Sequence, residues 1–276
     1  MHLGTAQHDG RLVPVAVEGE SLRPLGVPSL LDLIRSGEPA PSPAAEPLAD
    51  ARLTAPIRPG KIVAIGLNYL DHIREQGIEN PPERPIVFTK FPSSVIGDSE
   101  TIELDRSLTE RADWEVELAV VIGWRMRRVP AADALSYMFG YTVANDVSAR
   151  DVQFADHQWV RGKSLDTFCP LGPVIVTADE LPEIGALALR TRVNGELVQD
   201  SSTSEMLFGV PELLAFCSAS FPLDPGDILL TGTPWGCGEF MDPVRSLQDG
   251  DVVECEVEGI GTLTNPVAEI APAPSG

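Results

Sequence analysis

Two glutamates, Glu115 and Glu117, stand at the head of the run Glu115-Val116-Glu117-Leu118-Ala119-Val120-Val121-Ile122, which begins as an alternating pattern and ends continuously apolar. Residues two apart in a β-strand share a face, about 6.6 Å apart along the backbone, so both carboxylates project together. Side by side at the mouth of a buried strand, they repel each other and resist desolvation unless a cation neutralises them or one is protonated. The competing reading is an edge strand with both glutamates in water. A third carboxylate, Asp146, ends the apolar stretch Tyr141-Thr142-Val143-Ala144-Asn145, and Ser148 to Asp151 then opens a helix with capping-box character. Joined to the glutamates, Asp146 completes a set of three oxygen ligands with positions left for water and a chelating substrate. Such a set suits Mg²⁺ or Mn²⁺ rather than Zn²⁺. As a helix cap or turn residue, Asp146 would need no ion.

Other candidates surround this trio in the sequence. Arg150 and Gln153 are three apart on the helix after Asp146, so one could grip a substrate carboxylate while the other donates a hydrogen bond. A salt bridge from Arg150 to Asp146 or Asp151 fits the spacing as well. His72 and Glu75 share a face of a short helix after Gly66-Leu67-Asn68-Tyr69, where the carboxylate would orient the imidazole and raise its basicity. An exposed surface pair is the alternative. His157 reads as a surface residue. Lys163 lies in the irregular stretch Arg161 to Pro173 and is the candidate partner for a developing oxyanion. The turn Thr231-Gly232-Thr233-Pro234 follows an apolar strand and could present Thr233 and a backbone N–H to a ligand, or serve simply as a sharp turn.

The elements that must position these groups are mostly strands. Short β-branched runs bounded by Gly, Pro and Asp recur at Ile62 to Ile65, Ile86 to Thr89, Glu115 to Ile122, Val174 to Thr177, Ile228 to Thr231 and Val252 to Val257. Helical periodicity is confined to Tyr69 to Gln76, Ala131 to Met138, Ser148 to His157 and Pro211 to Ser218. The expected class is mainly β with short helices (α+β), without regular βαβ alternation. Residues 1–55 read as a small N-terminal domain: strands about Leu12 to Val17, a helix from Ser29 to Arg35 closed by Gly37, and a Pro/Ala-rich connector over 38–60. Residues 56–276 form the expected catalytic domain. With 43% hydrophobic and 22% charged residues, the chain can bury a sizeable core.

A formal charge of −21 disfavours nucleic acid and anionic membranes as partners. An anionic substrate would therefore need a local positive centre, which a divalent cation and aimed Lys or Arg side chains supply. The four cysteines are scattered and read as reduced thiols. The stretch Met1 to Val17 is interrupted by His8, Asp9, Gly10 and Arg11, and no segment reaches membrane-spanning length, so a cytoplasmic location is expected.

Taken in order, Gly66-Leu67-Asn68-Tyr69, Glu115-Val116-Glu117, Asn145-Asp146-Val147-Ser148-Ala149-Arg150-Asp151, Gly162-Lys163-Ser164, Gly232-Thr233-Pro234 and Gly259-Ile260-Gly261-Thr262-Leu263-Thr264-Asn265 resemble the fumarylacetoacetate hydrolase family. The resemblance spans roughly Lys61 to Pro266. It implies a mixed β-roll, usually in a homodimer, with Mg²⁺ or Mn²⁺ on Glu115, Glu117 and Asp146. It also implies a catalytic dyad at His72 and Glu75, a catalytic lysine at Lys163, and substrate contacts at Arg150, Gln153 and Thr233. Trp235 and Cys237 depart from the smaller or aliphatic residues expected after Gly-Thr-Pro.

The expected reaction is hydrolytic C–C cleavage of an acylpyruvate-like 2-oxo or 1,3-dicarbonyl acid. The metal would polarise the 2-oxo group, His72 would activate water, and Lys163 would steady the enolate released. The alternative is a decarboxylase or enol–keto isomerase of 2-oxo or 2-hydroxy-diene dicarboxylates. A third reading is a non-catalytic acidic protein that binds Ca²⁺ structurally, which would need no histidine or lysine near the carboxylates.

Overall fold

The structure is a computed structural model and describes residues 1–271; positions 272–276 of the expected catalytic domain lie outside the described residues. An eleven-stranded mixed sheet dominates. Its main path runs Ser21–Pro24, Arg11–Glu18, His2–His8, Cys169–Thr177, Met138–Asn145, Val116–Ile122, Ile228–Leu230, Ile62–Gly66 and Ile86–Lys90, with Arg52–Thr54 and Val95–Ile96 pairing off it. A five-stranded sheet in the order Glu196–Ser202, Ala188–Val193, Val252–Val257, Gly261–Glu269 and Ile102–Leu104 packs against one face.

The register explains why Val116–Ile122 reads as a continuous apolar run. Val116, Leu118, Val120 and Ile122 enter the core shared with the five-stranded sheet, together with Leu189, Val253 and Leu263. Ala119 and Val121 enter a second core with Leu3, Leu30, Ile34 and Ile175. A strand covered on both faces carries apolar residues at both parities. Glu115 and Glu117 share the parity of Ala119 and Val121, so they lie where the second core ends.

Residues 1–55 are built onto the same sheet. His2–His8 pairs antiparallel with Cys169–Thr177 through Leu3 and Ile175. The helix Leu30–Ser36 is capped by Ser29, whose hydroxyl accepts from the Asp32 N–H, and stops at Gly37 in the left-handed region (φ 68°). The proline-rich stretch lies along the strand Ser21–Pro24, to which Ala44 and Leu48 donate backbone hydrogen bonds (2.8 Å each), while Ala55 and Ile57 are buried in the second core. No helix among the described residues is long and apolar enough to cross a membrane.

Four strand ends meet at one edge of the sheet. Ala119 pairs with Leu230 and Val116 with Asn145, which brings the start of Val116–Ile122 beside the ends of Ile228–Leu230 and Met138–Asn145. Ile62–Gly66 runs parallel to Ile228–Leu230 and ends at the same edge. Gly140 keeps Met138–Asn145 close to its neighbour: a Cβ there would lie 2.1 Å from the Val176 carbonyl oxygen. Gly140→Ala is expected to force the two strands apart and cost about 1–3 kcal/mol, read as a lowered urea midpoint at unchanged slope.

Candidate active site

The three acidic residues converge. Glu115, Glu117 and Asp146 each present a carboxylate oxygen within 4.8 Å of the others, and all three are buried, at 5%, 1% and 0% exposure. The edge-strand alternative is therefore excluded. Asp146 is held by its backbone, whose N–H donates to the Glu115 carbonyl at 2.8 Å, and Ser148 Oγ donates to the Asp146 carbonyl at 2.8 Å.

Cations crowd two of the carboxylates. Lys163 Nζ donates to Glu115 Oε2 at 2.7 Å and to Asp146 Oδ2 at 2.9 Å. Arg150 lies 2.7 Å from Glu115 Oε1 and 2.8 Å from Asp113 Oδ2, while its Nη1 donates to Gln153 Oε1 at 3.0 Å. Arg150 thus pairs with neither Asp146 nor Asp151; the latter accepts from the Thr109 hydroxyl and the Glu110 N–H. Burial opposes ionisation of Glu115, but Lys163 and Arg150 overcome it and hold this carboxyl below the usual range. Burial also opposes charging of Lys163, yet Asp146 and Glu115 raise its pKa, so it remains an ammonium.

Glu117 is different. Its Oε2 accepts from the Gly232 N–H at 2.7 Å, and no salt bridge reaches it among the described residues. Burial, then the Asp146 and Glu115 carboxylates, push it well above the ordinary carboxylate range. The turn expected to offer a backbone N–H to a ligand gives it to Glu117 instead. Gly232 sits at φ +98°, which a side chain rarely adopts.

His72 is buried (5% exposed), so its pairing with Glu75 is no surface contact. Its Nδ1 lies 2.9 Å from Glu75 Oε2 and its Nε2 lies 2.8 Å from Gln76 Nε2. Phe240 packs edge-on against the ring, centroids 5.4 Å apart. Glu75 is fixed by the Gly236 N–H, which donates to its Oε1 at 2.8 Å.

A cavity of about 250 Å³ joins these groups. Of the nine residues singled out from the sequence, His72, Glu115, Arg150, Gln153, Lys163 and Thr233 line it, alongside Gln76, Phe88, Phe154, Trp159 and Phe240. Glu75, Glu117 and Asp146 are not part of the lining: Glu75 contacts His72, and Glu117 and Asp146 each bring a carboxylate oxygen within 4.8 Å of Glu115. Exposed His157 and half-exposed Trp235 do not line it. The convergence of His72 and Lys163 on the carboxylate centre weighs against the structural-Ca²⁺ reading, which has no use for either residue.

Residues 61–268 match the family described as "Fumarylacetoacetate (FAA) hydrolase C-terminal". The chain belongs to the fumarylacetoacetate hydrolase family. It is 48% identical over 218 residues to the mitochondrial oxaloacetate tautomerase of Xenopus laevis, covering 78% of this chain and 68% of that protein. Its fold matches a fumarylacetoacetate hydrolase from Exiguobacterium antarcticum (TM-score 0.89, 39% identity, 98% and 100% of the two chains covered). It also matches a 5-carboxymethyl-2-hydroxymuconate delta-isomerase from Mycobacterium smegmatis (TM-score 0.84, 40% identity, 98% and 100% covered). The mainly β class expected from the sequence is thereby established, and the family includes enzymes named for isomerisation as well as hydrolysis.

Several supporting residues of this family site escape a sequence reading. Lys90 is fully buried and donates to Asp146 Oδ1 at 2.6 Å and to the Val147 carbonyl at 3.2 Å; it also bonds the Lys163 carbonyl. Its only sequence signal is a charge at the end of an apolar strand. Asp113 anchors Arg150 and accepts from the Gly238 and Glu239 N–H groups at 2.8 and 3.1 Å. Gln199, buried on a strand of the smaller sheet, donates to Thr233 Oγ1 at 3.1 Å and accepts from the Val116 N–H at 3.1 Å.

Glu117 decides whether these residues fit a divalent ion. Four acids (Glu115, Glu117, Asp146, Asp113) face three bases (Lys90, Lys163, Arg150), which leaves one carboxylate over. It is the buried one without a cation, in an all-oxygen donor set that suits a hard divalent ion. Mg²⁺ at 100 times its Kd would stabilise the protein by about 2.7 kcal/mol, a rise in Tm of about 5–10 °C for a chain of this size. In Glu117→Gln this rise is expected to vanish, while the metal-free Tm stays at or above that of the wild type. The sign follows from the raised pKa: the unfolded chain ionises Glu117 freely at neutral pH, whereas the folded one must protonate or desolvate it. Thermal unfolding with EDTA and with Mg²⁺ checks both.

Proposed function

We propose that this protein is a divalent-metal-dependent enol–keto tautomerase of a small 2-oxo dicarboxylate of the oxaloacetate type. The observation that carries this reading is the meeting, in one small cavity, of an acidic centre flanked by a fixed ammonium and a histidine–carboxylate pair able to move a proton. The reaction needs only one proton removed from the enol hydroxyl and one delivered to the adjacent carbon. The relative from Xenopus laevis is named for this reaction, which supports tautomerisation over the hydrolytic C–C cleavage expected from the sequence.

Glu115, Glu117 and Asp146 would hold the Mg²⁺ or Mn²⁺. When bound, the ion supplies a positive centre that attracts a chelating 2-oxo acid and favours the enolate over the neutral enol. The chain's own groups do the rest. His72 presents its ring to the cavity and relays the proton between oxygen and carbon, with Glu75 on Nδ1 steadying the imidazolium. Lys163 keeps its proton, so its role is a fixed charge beside the enolate oxygen rather than a base. Arg150, Gln153 and Thr233 line the cavity and position the second carboxylate. Phe88, Trp159 and Phe240 exclude bulk water, which favours internal proton return over hydrolysis.

Enol-oxaloacetate absorbs in the ultraviolet, so its decay can be followed directly under Mg²⁺. The protein is expected to accelerate the decay without forming pyruvate, whereas release of pyruvate from an acylpyruvate at a comparable rate would return the hydrolase reading to first place. His72→Asn should lower the rate by about 10²–10⁴. Lys163→Met should lower turnover and leave the Mg²⁺-induced rise in Tm intact, because the ammonium is not a metal ligand.

A further inference from the structure

Cys237 has no part in the tautomerase reading, yet it is fully buried and its Sγ lies 4.0 Å from His72 Nδ1. His72, Glu75 and Cys237 each offer one ligand atom, and these atoms all lie within 4.8 Å of one another. From the geometry of this trio we infer a second, soft-metal site: His72 Nδ1, a Glu75 carboxylate oxygen and Cys237 Sγ bind Zn²⁺ or a similarly thiophilic ion and thereby switch the enzyme off.

The distances suit such an ion. Tetrahedral Zn²⁺ with ordinary bond lengths separates its nitrogen and oxygen ligands by about 3.3 Å, and its nitrogen and sulfur ligands by about 3.6 Å. The pairs here stand 2.9 Å and 4.0 Å apart, so shifts of about 0.4 Å bring both to the tetrahedral separations, and the Glu75 oxygen and Cys237 sulfur lie within 4.8 Å of each other. Three protein ligands of mixed N, O and S character leave the fourth position for water. The ring's other nitrogen faces the Gln76 amide nitrogen, a donor, at 2.8 Å, so ligation through Nδ1 places the ring proton on Nε2 and turns the Gln76 amide to present its oxygen. Glu75 keeps 14% of its side chain exposed, which opens the trio to solvent.

Ligand softness separates the two sites. The Glu115, Glu117 and Asp146 centre offers oxygen alone and suits Mg²⁺ or Mn²⁺; thiolate and imidazole favour Zn²⁺. On binding, the thiol proton leaves to solvent, the ring proton of His72 moves from Nδ1 to Nε2, and Nδ1 exchanges its bond to Glu75 for one to the metal. Binding stands on the geometry alone, whereas inhibition rests on the proposed proton relay through His72.

Two readouts keep these apart. With Mg²⁺ saturating, Zn²⁺ is titrated against the decay of enol-oxaloacetate; separately, Cd²⁺ is titrated and the near-ultraviolet thiolate-to-metal charge-transfer band recorded. The wild type is expected to lose activity and to show the band. Cys237→Ser and Cys237→Ala, checked for folding by circular dichroism, should need about tenfold more Zn²⁺ for the same fractional loss and should lack the band, while Cys169→Ser keeps both responses. Absence of the band in the wild type, its persistence in both Cys237 variants, or equal Zn²⁺ sensitivity in all forms overturns the site. A Cd²⁺ band that depends on Cys237 in a protein without tautomerase activity upholds the site and sinks the proposed reaction instead.

Discussion

The structure turns on a buried carboxylate that no cation pairs with among the described residues. Glu117 is 1% exposed, beside Glu115 and Asp146, and accepts a hydrogen bond from Gly232. An isolated ionised carboxylate in such surroundings is strongly disfavoured, and the neighbouring cationic side chains pair with its companions. Lys163 bridges Glu115 and Asp146, Lys90 takes the other Asp146 oxygen, and Arg150 joins Glu115 to Asp113. The result is a centre one positive partner short. That shortage is what a divalent ion would remove, and what would make an acidic protein receptive to an anionic substrate.

The fold supplies this arrangement through strand ends. A strand buried on both faces delivers Glu115 and Glu117 to the edge of the large sheet, and its antiparallel neighbour delivers Asn145 and Asp146 to the same edge. The glycine turn after Ile228–Leu230 aims an N–H at Glu117, and the short helix after Ile62–Gly66 places His72 across the cavity. Strands and short helices thus carry the charged groups, and the space of about 250 Å³ between them suits the small acid proposed as substrate.

Much of this was legible in the sequence because it is local. The alternation at Glu115 and Glu117, the strand-to-helix junction at Asp146 and the three-residue spacing of His72 and Glu75 each follow from a repeat of two or 3.6 residues. Most helix limits shifted by a residue or two, but the helix expected over Ala131 to Met138 is α-helical only over Ala131–Ala134 and continues as a 3₁₀ turn, Leu135–Tyr137; the helix expected over Ser148 to His157 is only Arg150–Ala155, because Ser148 and Ala149 pair with Ala112–Asp113 as a small ladder. What stayed hidden was long-range. Spacing alone could not show that Arg150 pairs with Asp113, 37 residues away, or that Lys90 reaches Asp146 across 56 residues. The N-terminal residues read as a separate unit from their proline-rich tail, yet Leu3 and Ile34 pack into a core formed by strands over a hundred residues distant. The choice between the expected hydrolysis and the proposed tautomerisation was equally hidden, since both would call on the same charged groups.

Anomalous scattering from crystals grown with Mn²⁺ and oxalate addresses the central claim most directly. The account predicts a single strong manganese peak coordinated by oxygens of Glu115, Glu117 and Asp146, with oxalate completing the shell and Lys163 beside it. Manganese bound elsewhere, or a shell that leaves out Glu117, would contradict it.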